Sequence, residues 1–394
     1  MDITQVATLV NSVNAEFIGD SAILEEDLSN VVDIGKAVFD NTSYDKYVRS
    51  LVDHIGRVIF VDRKYAGELA TLYRDNWEYG SVMQKIYMTE LPEAVENESW
   101  KLEDGASYDS NVFHKSSVAS KFYNKRTTFE VDLSVADIQV RSAFDSATQL
   151  NAFISMLMNS VDTAISIRLE GLAERTINTL IAQTLYADIP DKDFTKTGVK
   201  AVNLLKLYNT QFSDATIDKD EALYTPEFIR FSSLVISKYL KRISKPSTLF
   251  NVGGLVRFTP ADKQHLIMLS DFKAAADVYL QSDVFNAEYT ALPMSESIAY
   301  WQGSGTDYGF DSVSKIHIDI EDPADGSSEE IEIDGVVGVL FDHDAAGITN
   351  DKRRVTSNYN AKAEFTNMFY KQDCNYFVDL NENCIVFFIG EDEA

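Results

Sequence analysis

Between Phe144 and Tyr186 the chain runs without a proline and with one glycine, Gly171. Apolar residues recur there at spacings of three and four: Leu150, Phe153, Ile154, Leu157, Met158, Val161, Ile165, Leu169, Leu172, Ala173, Ile177, Leu180 and Ile181. That pattern predicts a single helix with one stripe facing a core, and about forty residues at 1.5 Å each make a rod of roughly 60 Å. The stripe is wider than a two-position seam and keeps no strict heptad, which argues against a two-stranded coiled coil. Pro190 sets the latest stop, because proline cannot continue the helix and disfavours helical geometry at Ile189. Ordinary helices average three turns. A compact enzyme domain is rarely built on a rod of this length, whereas a subunit that completes itself against other copies is.

Upstream, residues 127–135 alternate strictly, with Thr127, Phe129, Val131, Leu133 and Val135 on one face and Thr128, Glu130, Asp132 and Ser134 on the other. The alternation predicts a strand that begins near Tyr123. Ser81 to Glu90 also reads as a strand, and Leu91 to Ser120 between the two is polar and irregular. Structureless loops that long are uncommon inside compact domains. Two limbs around a polar tip therefore predict a projecting β-arm from Ser81 to Val135, with residues 127–135 as its return limb. Tyr47, Leu51, Ile55, Val58 and Ile59 give Lys46 to Phe60 a helical spacing. The first fifty residues hold too little contiguous apolar material for their own core, which predicts an arm lying on something else.

After Pro190 the texture becomes mixed. Helices are predicted over Val199 to Phe212, over Thr225 to Ile243 with Pro226 in the first turn, and over Ser270 to Tyr279. Strands are predicted at Leu255 to Phe258, His265 to Leu269 and Gly335 to Phe341, with a hairpin joining Lys315–Ile320 to Glu330–Asp334. Arg354 to Tyr370, Cys374 to Asp379 and Asn383 to Ile389 read as closing strands, the last two joined by a tight turn at Leu380-Asn381 and packed on the long helix. Such a hairpin sets Cys384 opposite residues 376–378 rather than Cys374, so both thiols are expected free in a reducing compartment. The fold class is α+β.

The net charge is −27, from 35 basic and 62 acidic residues. A protein that neutralises phosphates carries a basic face, and only short clusters such as Lys352-Arg353-Arg354 qualify. The acidic excess reads as a solvated surface, or as one face that lies beside DNA without adhering to it. No run of eighteen apolar residues and no basic-then-apolar leader occurs, so neither a membrane span nor a secretory signal is expected. Gly303-Ser304-Gly305 with Gly309 imitates a phosphate loop, but the residues after it read as strand rather than helix. Asp319, Glu321, Asp322 and Asp325 lack calcium-loop spacing. Asp342-His343-Asp344 has no second histidine at ligand spacing, and none of the five histidines accompanies a nucleophile in a known motif. No catalytic, cofactor-binding or metal-binding residue is assigned, and enzyme chemistry is not expected.

Together the N-terminal arm, β-arm, long helix, mixed block and returning strands resemble the major capsid proteins of tailed bacteriophages, a fold shared with encapsulins and the floor of herpesvirus capsids. The resemblance spans the chain. LIMLSD (Leu266 to Asp271) running on to Phe285, and GVLFDHDAAGITNDKRRVTSNYN (Gly338 to Asn360) followed by EFTNMFY, are most similar to the capsid proteins of small phages of Gram-positive hosts. It implies an N-terminal arm and leading helix over 1–60, an extended loop with its base over 61–135 and a tip at 91–120. A spine helix of a peripheral domain over 136–190, an axial domain over 191–345 and C-terminal strands of the peripheral domain over 346–394 complete the division. The implied function is an icosahedral shell of pentamers and hexamers around double-stranded DNA, contacted without sequence specificity, with scaffolding, portal or decoration proteins as further partners and no membrane. Localisation would be the virion, after assembly in the host cytoplasm. Position along the chain makes Trp100, Lys101, Lys115, Lys352, Arg353 and Arg354 candidate intersubunit contacts. The alternatives are an encapsulin-type shell around a cargo enzyme and, from a different class, a soluble α/β enzyme.

Overall fold

The computed structural model describes residue 11 and residues 69–74, 83–136 less 93, 95, 98, 109, 110 and 112, 147–281, 295–299, 301, 315–322 and 326–391. The expected N-terminal arm, the helix over Lys46 to Phe60, the Gly303 to Gly309 segment and Asp325 lie outside these residues, as do the side chains of the stripe up to Met158.

The long helix α1 spans Ala147–Asp188, 42 residues, about 63 Å at 1.5 Å per residue. From Val161 onward every predicted stripe residue is buried: Val161, Ile165, Leu169, Leu172, Ala173, Ile177, Leu180 and Ile181. Each buried leucine or isoleucine stabilises the fold by about 1.5–3 kcal/mol through the apolar area it removes from water. No helix among the described residues is long and apolar enough to cross a membrane.

Two sheets share this spine. The first is ordered β1 (Tyr73–Arg74), β11 (Ala346–Asn360), β12 (Phe365–Val378), β4 (Arg126–Ala136). The second is ordered β5 (Ala201–Asn203), β13 (Cys384–Phe388), β10 (Val336–Asp342), β6 (Gln264–Leu269), β7 (Ser295–Ile298). The central strands β13, β10 and β6 of the second sheet are buried on both faces, which is why they read as near-continuous apolar runs. Val339 and Phe341 of β10, Ile267 of β6 and Val386 of β13 face the spine. Leu340, Leu266 and Ile385 face helices α2 (Leu204–Gln211), α3 (Pro226–Arg242) and α4 (Ser270–Gln281). Trp301 is fully buried on the spine side and donates its indole N–H to the Val336 carbonyl at 2.8 Å. Gly338 is required in β10, since a Cβ there would stand 2.8 Å from the Ile267 carbonyl oxygen.

The hairpin of β8 (Ile316–Glu321) and β9 (Ser328–Ile333) forms as its alternation predicts, with Ile316, Ile318, Ile320, Ile331 and Ile333 packed into the spine core.

Five expectations are corrected. The stretch from Arg354 to Tyr370 is not one strand: β11 ends at Asn360, a turn follows, and β12 runs from Phe365 through Cys374 to Val378. The alternating strand β4 is not the return limb of the arm: it pairs antiparallel with β12, and its apolar face packs toward the spine core. The limb that pairs with β2 (Met83–Met88) is β3 (Val118–Tyr123), separated from β4 by Asn124 and Lys125. The last two strands form no hairpin, because β12 and β13 enter different sheets; Cys374 and Cys384 are nevertheless both free and buried, and burial pushes the Cys384 thiol up to about 12. Leu255 to Phe258 forms only a bridge between Ser247 and Arg257, and the predicted helix from Val199 begins as strand β5, turning helical at Leu204 where the Asn203 side chain accepts from the Lys206 N–H.

Candidate functional site

The β2–β3 hairpin has its polarity reversed. Alternation sorts its side chains onto two faces. One carries Lys85, Tyr87, Lys121 and Tyr123, all more covered than their neighbours, and the other carries Ile86, Met88, Val118 and Phe122. The cationic face is turned to the body and the apolar face to solvent, with Ile86 68% and Phe122 61% exposed. Beyond the hairpin, the 89–117 connection adds Trp100 at 70% and Phe113 at 86% exposure, with Leu91, Leu102 and Tyr108 also exposed. Isolated exposed hydrophobics are ordinary, but a contiguous row on one element marks a surface that another molecule covers.

The inward face closes on a buried carboxylate. Asp379, in the connection between β12 and β13, has a side chain only 1% exposed and sits 2.8 Å from Lys85 Nζ and 3.4 Å from Lys121 Nζ. Lys85 also donates to the Asp344 carbonyl at 2.6 Å. Burial works against the charged form of Asp379, yet Lys85, Tyr123 and Lys121 outweigh it and hold its pKa below the usual carboxylate range. Burial, with the Asp379 carboxylate beside it, pushes the Tyr123 phenol well above its ordinary value. Tyr123 packs on Phe377 with ring centroids 5.5 Å apart, and Asn381 donates to the Tyr87 hydroxyl at 3.3 Å. Arg257 stacks 5.2 Å over the Tyr87 ring and lies 3.5 Å from Glu382. Each limb of the arm is thus fixed to the body by its own lysine. A crevice of about 720 Å³ opens between the arm base, the spine and the β8–β9 hairpin, lined in part by Lys121, Arg175, Gln183 and Asp319.

A second ionic knot ties β4 to the first sheet. Asp373 on β12 is buried, accepts from Thr128 Oγ1 at 2.7 Å and pairs with Arg126 and, at 2.9 Å, with Arg354. Burial opposes its charge, but these donors and cations hold its pKa low. The pairing of β11 with β12 shifts between Asn350 and Arg353, placing one extra residue in β11. A bulge of this kind reverses the alternation that follows. Arg353 consequently turns inward, 4% exposed, to Asp162 of α1 at 3.2 Å and over the Tyr370 ring at 5.6 Å.

The candidate contact residues therefore fall in different places. Trp100, Lys101 and Lys115 are exposed on the loop beyond the arm, with Lys101 Nζ 4.4 Å over the Trp100 ring. Lys352 is exposed, Arg354 is exposed while holding Asp373, and the charge of Arg353 is matched inside the subunit. The reasoning from sequence missed Asp379, Lys85 and Lys121. The alternation in MQKIYM does separate Lys85 and Tyr87 from Ile86 and Met88, but it does not say which face looks outward.

It also missed a histidine pair. His265 of β6 and His343, just after β10, bring Nε2 and Nδ1 within 2.9 Å. Burial, His343 and Arg74 lower His265 to about 4, and burial and Arg74 lower His343 as well. Both rings are neutral near pH 7, and one N–H donates to the other ring. No group of three His, Cys, Asp or Glu side chains able to hold a metal occurs among the described residues.

A family model described as Phi29-like phage major capsid protein matches residues 6–388. A curated relative, the major capsid protein of Bacillus phage GA-1, is 22% identical over 254 residues, which is 63% of this chain and 46% of that protein. The chain spans about half the length of the curated relative it matches. A solved chain of the Staphylococcus phage Andhra capsid superposes with a TM-score of 0.51 at 10% identity, covering 84% of this chain and 86% of that one. At that identity the likeness is one of fold: mixed helix and sheet in the arrangement of a phage capsid subunit.

Proposed function

The chain belongs to the Phi29-like phage major capsid proteins, and from that premise we propose that many copies self-assemble into an icosahedral shell of pentamers and hexamers enclosing double-stranded DNA. The observation that carries the reading is the reversed arm, whose lysines are held by buried Asp379 while Ile86, Met88, Val118 and Phe122 face outward. A neighbouring copy is the natural cover for such a face, and repeating one modest contact around a closed shell multiplies its effect. Trp100, Lys101 and Lys115 on the loop, and Lys352 and Arg354 at the β11 bulge, are the side chains offered to neighbours. Arg353 acts beneath them by holding β11 to the spine.

In this reading the chain divides by role. An arm precedes residue 61, the extended loop and its base run to 135, the spine to 190 and the axial part to 345, with strand β13 returning into the axial sheet after β11 and β12. The protein resides in the virion and is assembled in the host cytoplasm, with scaffolding, portal or decoration proteins as partners. The charge of −27 suits an acidic inner lining along which DNA slides without sequence-specific contact. Ile86→Asp with Phe122→Asp is the direct test, because both residues are exposed and substitution there changes subunit stability by no more than about 0.5 kcal/mol. Velocity sedimentation and electron microscopy should show shells from the wild type and free subunits or capsomers from the double variant. Shells formed equally well by both would refute the role given to the arm.

A further inference from the structure

Helix α3 carries a feature that the shell reading leaves unused. Its inner face, with Phe228, Ile229, Val235 and Ile236, packs on the second sheet. Its outer face presents Arg230, Leu234, Lys238 and Lys241 at spacings of four, four and three, which is one stripe of a helix, and all four are exposed. Lys245 extends the stripe past the helix end. Among the described residues, none of Lys238, Lys241 and Lys245 has an ion-pair partner. In a chain of net charge −27, three unpaired lysines along one helix face make a distinct surface.

The complementary surface lies on the other side of the same body. The β8–β9 hairpin sits on the spine side of the second sheet, opposite α3. Its inward face carries Ile316, Ile318, Ile320, Ile331 and Ile333 with Glu329 half-buried at its end, and its exposed face carries Asp319, Glu321, Glu330 and Glu332. The register sets Asp319 directly across from Glu330, and like charges in that position destabilise a strand pair. Lys315 answers Glu332 and His317 answers Glu330, but Asp319 has no cation beside it among the described residues. A ring of identical copies joined head to tail needs two different, mutually complementary surfaces on each copy. A basic helix face and an acidic strand face on opposite sides of one sheet meet that requirement.

We infer that the outer face of α3 docks on the exposed acidic face of the β8–β9 hairpin of the adjacent copy, Lys238 and Lys241 against Asp319 and Glu330, and that this contact sets the head-to-tail order of subunits within a capsomer. The inference rests on the shell reading and specifies one of its interfaces. The partner is a second copy rather than a nucleic acid because the acidic surface needed to receive these lysines is part of the same chain and holds in Asp319 a carboxylate with no cation beside it among the described residues.

The test is charge reversal with rescue in the full-length chain. Lys238→Glu with Lys241→Glu should cut the yield of shells by about tenfold or more, because a small loss per contact is repeated around every ring. Adding Asp319→Lys and Glu330→Lys to the same chain should restore most of that yield. Zero-length carbodiimide coupling of wild-type particles should link Lys238 or Lys241 to Asp319 or Glu330, and salt should weaken the coupling. A Lys238→Glu, Lys241→Glu variant that assembles like the wild type overturns the inference and leaves the shell reading intact. Shells that form normally but hold less DNA overturn it too and assign the helix face to phosphates. Wild-type protein that stays monomeric under all assembly conditions overturns the shell reading, and this inference with it.

Discussion

Replacing Asp379 by asparagine keeps the shape of the side chain and removes the charge on which both limbs of the arm converge. Two contacts are affected unequally. The pair with Lys121 involves a lysine side chain 40% exposed and contributes little, as surface pairs do. The pair with Lys85, whose side chain is 19% exposed, is at 2.8 Å and largely shielded from water. Breaking a buried pair from one side costs about 3–5 kcal/mol, and the partial exposure of Lys85 places the expected loss at the low end, about 3 kcal/mol. The loss should be local, because the second sheet does not depend on the arm. Hydrogen exchange of β2 and β3 amides should accelerate by about two orders of magnitude, while amides of β10 change far less. The pH profile gives an independent check. Asp379 has a folded pKa below its ordinary value, so its stabilisation is present above the unfolded pKa of about 4 and is lost as pH falls through the folded value. The asparagine variant should therefore lose less arm protection than the wild type when acidified below about pH 4. Glu382 works in the opposite sense, since burial raises its pKa, and it remains in both proteins. A double variant that also carries Lys85→Met should lose less than the two single changes added together. If Asp379→Asn leaves β2 and β3 exchange unchanged at neutral pH, the anchor has no energetic role and the argument fails.

The histidine pair predicts a second pH effect. With His265 lowered to about 4 and His343 lowered with it, the unfolded chain takes up protons below about pH 6.5 before the folded one does. Stability should therefore fall steadily between those two values, with Arg74, Lys263, Asp342 and Asp344 as the charges around the rings. His265→Gln should flatten that slope in thermal unfolding, and an unchanged slope would count against the pair. Gly338→Ala places a Cβ 2.8 Å from the Ile267 carbonyl and should cost about 1–3 kcal/mol, read as a lowered Tm; a wild-type Tm would mean that β10 shifts without strain. Limited proteolysis should cut the 89–117 connection readily in dissociated subunits and slowly in shells, and equal rates in the two states would argue against its being covered on assembly.

The long helix and most strands were legible in the sequence because their signals are local. Side-chain direction repeats every 3.6 residues in a helix and every two in a strand, so the apolar positions of α1, β4 and β8 reveal both the element and its buried face. The histidine pair and the ionic anchor were not legible, for they join residues far apart in the chain, as Lys85 and Asp379 are at a separation of 294. A one-residue bulge was enough to turn Arg353 from an expected surface position into the core.

The sequence by itself determined that the chain builds on a rod of about forty residues, that a polar loop separates β2 from the strands that follow, and that β8 and β9 form a hairpin. The tertiary structure decided which strands pair, sending β4 to β12, β3 to β2 and β13 into the second sheet. It also decided that the arm turns its lysines inward and its apolar residues outward. The physical reason is that alternation fixes the two faces of a strand but not their surroundings. Only the buried charge of Asp379, brought to the arm base from nearly three hundred residues away, makes the cationic face the inner one.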